Sequence, residues 1–368
     1  MVKRLNAILA GALVCTLAAA GATAQSPEAL RDQINRGTVG IISGGINGTY
    51  IRIATDLASV LDDGKNIRVL AIMGKGSVQN IDDIMYLRGI DIGIVQSDVF
   101  AFVKGQNRHP TIDQRIHYIT KLYNEEFHLL ARKDIAGVDD LAGQKVNFGV
   151  QGSGTHMTAS IVFEKLAVNV EPVSFDQGLA LEKLRTGEIA ALVYVAGKPT
   201  ALFNQIQPDD NLHLLPIPLN PTILETYLPS WFTNEDYPNI VPEGRTVKTV
   251  AVGAVMAVYN WGLGTPRYLK VSRFVDAFFG RFEEFRKPPR HPKWQDVSLT
   301  AEVPGWNRFR PAEEWLRKSA TGGTGTLRAS FEEFLQDQAP GLASQLGSRE
   351  QKEELFKLFL LWQNRQPQ

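Results

Sequence analysis

Five short stretches carry most of the side chains in this 368-residue chain that could do chemistry. They are Ser43–Tyr50 (SGGINGTY), Gly74–Ser77 (GKGS), Gln96–Asp98 (QSD), Gln151–His156 (QGSGTH) and Ala196–Pro199 (AGKP). Most place glycine beside a hydroxyl or amide side chain, just ahead of a run with helical spacing. The first turn of a helix has N–H groups with no partner inside the helix and about half a unit of positive charge. Glycine lets a ligand approach that backbone, and the hydroxyls of Ser43, Thr49, Ser77, Ser97, Ser153 and Thr155 add donors without a fixed cation. The chemistry is capture of small anions and polar groups. A hydrogen bond to a charged group contributes roughly 1.5–3 kcal/mol, so three or four account for a micromolar Kd, about 8 kcal/mol. Taken singly, each turn also reads as an ordinary helix cap. Five in one chain point to a shared site.

The same residues do not assemble into an enzyme. Gly44–Gly48 lacks the spacing of a dinucleotide fingerprint, and no P-loop lysine follows it. Gln151–Thr155 puts its glycines in the wrong places for a nucleophile elbow. Ser153 and His156 could form a nucleophile–base pair, but no carboxylate lies nearby to orient it. Glu125 and Glu126 resemble a carboxylate pair, yet neighbouring strand residues point to opposite faces. His109, His117, His128, His213 and His291 show no metal-ligand spacing. No catalytic residue, metal or cofactor is therefore expected. Lysine plus arginine equals aspartate plus glutamate, 39 each, which leaves no global field for nucleic acid. Hydrophobic content of 44% with 21% charged excludes a disordered chain.

The elements that must position these turns form a repeating pattern of apolar strand, turn and amphipathic helix. The strands are read at 38–43, 67–73, 90–96, 145–150 and 189–195. Helices follow, with Ile51, Ala54, Leu57 and Leu61 on one face of the first, Ser77 capping the second, Ser97-Asp98 capping the third, a fourth through Leu166, and Pro199 in the first turn of a fifth. This alternation predicts an α/β architecture with mostly parallel sheets, all five turns lying beyond the carboxyl ends of the strands. A chain of this length predicts two lobes.

The ends carry separate signals. Lys3 and Arg4 precede an apolar run, Ala7–Ala20, and Ala22-Thr23-Ala24 fits a small-residue cleavage site. That run is shorter than the roughly 20 residues of a spanning helix, so residues 1–24 are expected to be a cleaved secretory signal. Cys15, the single cysteine, would leave with it. At the other end, Thr321–Thr326 reads as a glycine-rich linker, and clusters at Phe331–Leu335 and Leu355–Trp362 read as short helices of a C-terminal extension over 319–368.

The ordered set of stretches SGGINGTY (43–50), GSVQNI (76–81), IVQSDV (94–99), LYNEEFHLLARKD (122–134), DLAGQKVNFGVQGSGTHMT (140–158), GEIAALVYVAGKP (187–199) and TVAVGAVMAVY (249–259) resembles the TAXI-type solute receptors of TRAP transporters, within the type II periplasmic binding protein superfamily. The resemblance covers about residues 36 to 316. It implies two α/β lobes joined by two hinge strands, with a ligand cleft between them. The first crossing is expected near Arg132-Lys133-Asp134 and the second near Thr249–Ala257, giving lobe 1 as 34–132 plus 258–318 and lobe 2 as 133–257. The implied ligand-binding residues are Gly45, Gly48, Thr49, Tyr50, Ser77, Asn80, Gln96, Ser97, Asp98, Ser153, Gly154, Thr155, His156, Gly197 and Pro199. Tyr50 would stack over the ligand or pack in the core. His156, where several relatives carry a charged residue, would make capture depend on pH. The implied function is a periplasmic receptor for a small organic anion, a glutamate-like amino acid or dicarboxylate, delivered by lobe closure to a TRAP membrane permease. The same fold could instead feed a membrane signalling partner.

Overall fold

The computed structural model describes residues 26–320 except residue 65, together with Phe331 and Leu355. The expected signal segment lies outside the described residues, as does most of the C-terminal extension. Within the latter, Phe331 is buried and Leu355 is helical.

Ten strands make one continuous sheet: β1 (Thr38–Ile42), β2 (Arg68–Ile72), β3 (Ile92–Gln96), β4 (Ile116–Arg132), β5 (Lys145–Asn147), β6 (Glu171–Val173), β7 (Ala191–Ala196), β8 (Leu212–Leu214), β9 (Leu228–Phe232) and β10 (Val247–Tyr259). The order is β2-β1-β3-β10-β4-β7-β5-β6, with β8 added beside β4 and β9 beside β10. The helices include α1 (Pro27–Arg36), α2 (Thr49–Leu61), α3 (Ser77–Tyr86), α4 (Val99–Gly105), α5 (Ile112–Arg115), α6 (Gly154–Leu166), α7 (Gln177–Arg185), α8 (Pro221–Leu224), α9 (Pro266–Gly280) and α10 (Phe282–Phe285), and residues 310–320 are helical as well.

β3 and β7 are buried along their whole length, as expected of strands covered by helices on both faces. α2 buries Tyr50, Ile53, Ala54, Leu57, Val60 and Leu61, one stripe at three-and-four spacing, against that sheet. The apolar interior falls into four clusters, one on each face of each half of the sheet. α9, Phe309 and Ala312 join the first-lobe cluster beneath α2.

Only part of the sheet is parallel. β1 pairs parallel with β2 and β3, and β5 pairs parallel with β6 and β7. β4 and β10 run antiparallel to each other and to the strands flanking them. The reason is that β4 leads from the first half into the second and β10 returns, so the two must oppose. β4 changes pairing partners before the crossing expected at Arg132–Asp134. β4 pairs with β10 through Glu126 and with β7 from Glu126 to Ala131, while Arg132 pairs with Leu212 inside the second lobe. The lobe changes within an unbroken 17-residue strand, where no break in composition marks it. β10 leaves β9 at Ala251 and joins β3 at Ala254.

At this crossing, Glu126 holds three segments together. Lys293, from the turn at 292–296, donates to its Oε1 at 2.9 Å, and the Lys198 amide donates to Oε2 at 2.9 Å. Both charged side chains are buried, with relative exposures of 6% and 4%. Removing one partner of a buried ion pair costs more than removing both, because it leaves a charge without compensation. Lys293→Met is expected to destabilise the fold by about 3–5 kcal/mol, and Glu126→Gln combined with it to recover most of that loss. Equilibrium unfolding in urea measures both; equal losses in the single and double variants would refute the pairing.

Candidate functional site

The carboxyl ends of the first-lobe and second-lobe strands face one another across a cavity of about 60 Å³. Its walls are the turns that precede three helices. Gly44, Gly45, Gly48 and Thr49 lead into α2, Lys75 and Gly76 into α3, and Ser153 into α6. Gln96 at the end of β3 and Val195-Ala196 at the end of β7 complete the ring. A neighbouring space of about 120 Å³ shares Gly45, Lys75, Ser153, Thr155 and Tyr194. All five strand ends therefore reach the cleft.

The backbone N–H groups of Thr49, Tyr50, Ser77, Gly154 and Thr155 carry no hydrogen bond among the described residues. Each lies in the first turn of its helix, and the three turns meet at one cavity that Lys75 also lines. Three helix termini aimed at one volume make a site for negative charge, since each supplies donors and a partial positive charge.

The opposite character comes from Glu125. It is 2% exposed, lines the same cavity, and accepts a short hydrogen bond from the Tyr50 hydroxyl. Burial holds its carboxyl well above the usual carboxylate range, with Glu126 and Asp98 adding to the shift. Tyr194 lines the cavity beside it, and burial raises that phenol as well.

The two halves meet directly around this volume. The Gln79 amide donates to Gly152 O at 3.0 Å, Thr49 Oγ1 to Gly197 O at 3.1 Å, and Gln96 Nε2 to Thr158 Oγ1 at 3.2 Å. Met157 of α6 enters the first-lobe apolar cluster that contains Val78 and Ile81. Gly154 has no room for a side chain, since a Cβ there would lie 2.0 Å from Gln96 Oε1 and 2.6 Å from Ser77 Oγ.

Residues 41–261, from the first strand to just past the second crossing strand, match the NMT1-like family. The chain belongs to the NMT1-like family. Among solved structures it is similar to a periplasmic transporter, at 14% identity over 76% of this chain and 92% of that one, with a TM-score of 0.47. It is similar to an ancestral arginine-binding protein bound to arginine, at 15% identity over 68% and 96%, with a TM-score of 0.42. A third is the alkanesulfonate-binding protein SsuA from Xanthomonas axonopodis pv. citri bound to MOPS, at 12% identity over 82% and 94%, with a TM-score of 0.42.

In this NMT1-like chain, Gly45, Gly48, Thr49, Tyr50, Ser77, Gln96, Ser153, Gly154 and Thr155 line the cavity together. The other six sequence candidates do not. Asn80 is fully buried and its amide donates to Ser43 O and Ile94 O, both at 2.8 Å, tying two strand ends together. The Ser97 amide donates to Gly253 O, and its carbonyl accepts from Trp306. Asp98 accepts from Tyr227 across the lobes at 3.3 Å. His156 turns its ring edge-on to Phe148 at 6.2 Å, and burial lowers its pKa. Gly197 contributes its carbonyl to Thr49, and a Cβ there would meet Tyr123 and Lys293 within 3.0 Å. Pro199 lines a separate space of about 350 Å³ beside α2.

Local predictions also shift. Gly76, not Ser77, is the N-cap of α3, at φ 109°, and the Ser77 hydroxyl accepts from the Gln96 amide at 2.9 Å. Tyr50 packs in the core with its hydroxyl on Glu125, and it also lines the cavity. The helix expected at Pro199 is absent, because the Lys198 and Thr200 amides donate to Glu126 and to the Tyr237 hydroxyl instead. Glu125, Lys75 and Tyr194 were not among the candidates. The strand alternation that dismissed Glu125 and Glu126 as a pair also implied that one of them faces the cleft.

Two outcomes follow. Gly154→Ala is expected to hold the halves apart, because Gln96 is fixed by both Ser77 and Thr158 and cannot swing aside. Small-angle scattering should show a larger radius of gyration than wild type, and an unchanged profile would count against that close approach. Burial raises the Asp98 carboxyl to about 6 from 3.8, and one of its oxygens is buried without a partner. The folded chain then holds this proton more tightly than the unfolded one. Its contribution to stability is complete below about pH 4 and is lost as pH rises through about 6. Asp98→Asn should therefore stabilise the fold by about 1–2 kcal/mol at pH 7.5 and by nothing at pH 3.5, read as Tm in a pH series.

Proposed function

We propose that this chain is an extracytoplasmic solute receptor that captures a small organic ligand with an anionic group between its two lobes. The observation that carries the reading is the convergence of three helix N-termini, with open amides, on one cavity bounded by both halves of the sheet. β4 and β10, the strands that pass between lobes, act as the hinge. Closure brings Ser153–Thr155 of the second lobe to Gly48–Tyr50 and Gly76–Ser77 of the first, so a ligand touching both favours the closed state over the open one. Ser153 Oγ accepts the His156 amide as a helix cap, and the His156 ring turns to Phe148 and does not line the cavity.

The ordered motifs shared with TAXI receptors support a TRAP-type permease as the acceptor of the captured ligand, and support a periplasmic location. A permease encoded beside this gene fits that partner; a sensor kinase in its place would move the reading to signalling.

The binding claim is checked with the chain from Gln25 onward and a thermal-shift panel of acidic amino acids, dicarboxylates and neutral sugars. A ligand at 100 times its Kd stabilises by about 2.7 kcal/mol. At least one anion is expected to raise Tm and the sugars to leave it unchanged. No shift from any anion would overturn the reading.

A further inference from the structure

The helix termini account for one wall of the cavity and leave the other unexplained. Glu125 sits in that other wall, 2% exposed. One carboxyl oxygen accepts from Tyr50, and the other has no hydrogen-bond partner among the described residues. The groups that face it are Tyr50 from α2, Tyr123 and Glu126 from β4, Tyr194 from β7, Asp98 ahead of α4 and Lys293 from the 292–296 turn. The only cation among them, Lys293, is hydrogen-bonded to Glu126 on the opposite face of β4. A carboxyl group buried beside tyrosines and other acids, aimed into a cavity whose far wall attracts anions, is of little use to a ligand that is anionic throughout.

Resting on the reading of this cleft as a ligand site, we propose that Glu125 recognises an ammonium group. The ligand class is then an amino acid or similar small zwitterion, with its carboxylate at the helix termini and its amine at Glu125. A plain dicarboxylate brings no cation to the Glu125 carboxyl. The Tyr50 hydroxyl donates to the Glu125 carboxyl and holds it toward the cavity.

The test compares wild type with Glu125→Gln, which keeps the shape and an acceptor for Tyr50 but cannot become an anion. The probes are the protein amino acids, each paired with its 2-hydroxy acid, together with succinate and glutarate. The expected result is that at least one amino acid binds wild type and its hydroxy acid binds about tenfold to a hundredfold more weakly. In Glu125→Gln that preference should vanish while hydroxy-acid binding stays close to the wild-type value. Tight binding of a dicarboxylate or hydroxy acid, equal to or better than any amino acid, would overturn the ammonium role and leave the anion-binding reading standing. An unchanged preference in Glu125→Gln would do the same. If no probe of either kind binds, the cleft reading itself fails and this inference fails with it.

Discussion

The whole arrangement depends on β4 passing from one lobe to the other without a break. A strand sends successive side chains to opposite faces. At the point where β4 exchanges β10 for β7, two adjacent glutamates are therefore delivered to two different environments. Glu125 goes to the cleft and to Tyr50; Glu126 goes to Lys293 and to the loop carrying Lys198. The acceptor in the cleft and the ion pair beside the crossing are thus one residue apart on the same backbone. A movement of the crossing strand cannot reposition one without the other.

The two carboxyls also show what decides charge inside this protein. At about 4 Å and an effective dielectric near 20, a pair of unit charges interacts by roughly 4 kcal/mol, which is comparable to the penalty for burying a carboxylate. Glu126 has Lys293 at 2.9 Å, which offsets part of that penalty, and burial still raises its carboxyl above the usual carboxylate range. Glu125 is equally buried, and burial with Glu126 and Asp98 raises its carboxyl by more than Tyr50 and Lys293 lower it. The cleft therefore has a polarity, amide dipoles and Lys75 on one side and an ionisable acceptor on the other, that follows from where the fold places a single lysine.

Much of this was legible in the residues. The alternation of apolar runs and glycine-rich turns located β1, β3, β7, α2 and α6 within a few residues, because each is buried on a regular period and bounded by a local stop. SGGINGTY and QGSGTH could be recognised as glycine-rich turns ahead of helices, and residues of both line the cavity. What could not be read depends on partners far apart in sequence. Asn80, Ser97 and Asp98 have the polar character of ligand contacts, but their bonds go to Ile94, Gly253 and Tyr227. His156 has the right position in the chain and the wrong direction, since the Ser153 cap orients the first turn so that the imidazole meets Phe148. The lobe boundary left no trace in composition because a strand buried in both halves reads as one uninterrupted apolar run. Glu125 was hidden by its neighbour, two acids in sequence being taken together when the pleat separates them.

The balance between open and closed forms follows from the kinds of contact that join the lobes. Gln79 to Gly152, Thr49 to Gly197 and Gln96 to Thr158 are hydrogen bonds between neutral groups, each contributing about 0.5–1.5 kcal/mol once the competing bonds to water are counted. Burial of Met157 against the first lobe adds an apolar contribution of similar size. Opening would return all of these groups to water, so the closed state holds only a few kcal/mol of its own. A ligand at 100 times its Kd adds about 2.7 kcal/mol to the state that binds it, which is comparable to what the lobes supply to each other. Gly154 makes the close approach possible: with no side chain, the α6 terminus comes near Gln96 and Ser77. In the proposed receptor, the balance between open and closed forms would then respond both to what occupies the cavity and to the lobes' own contacts.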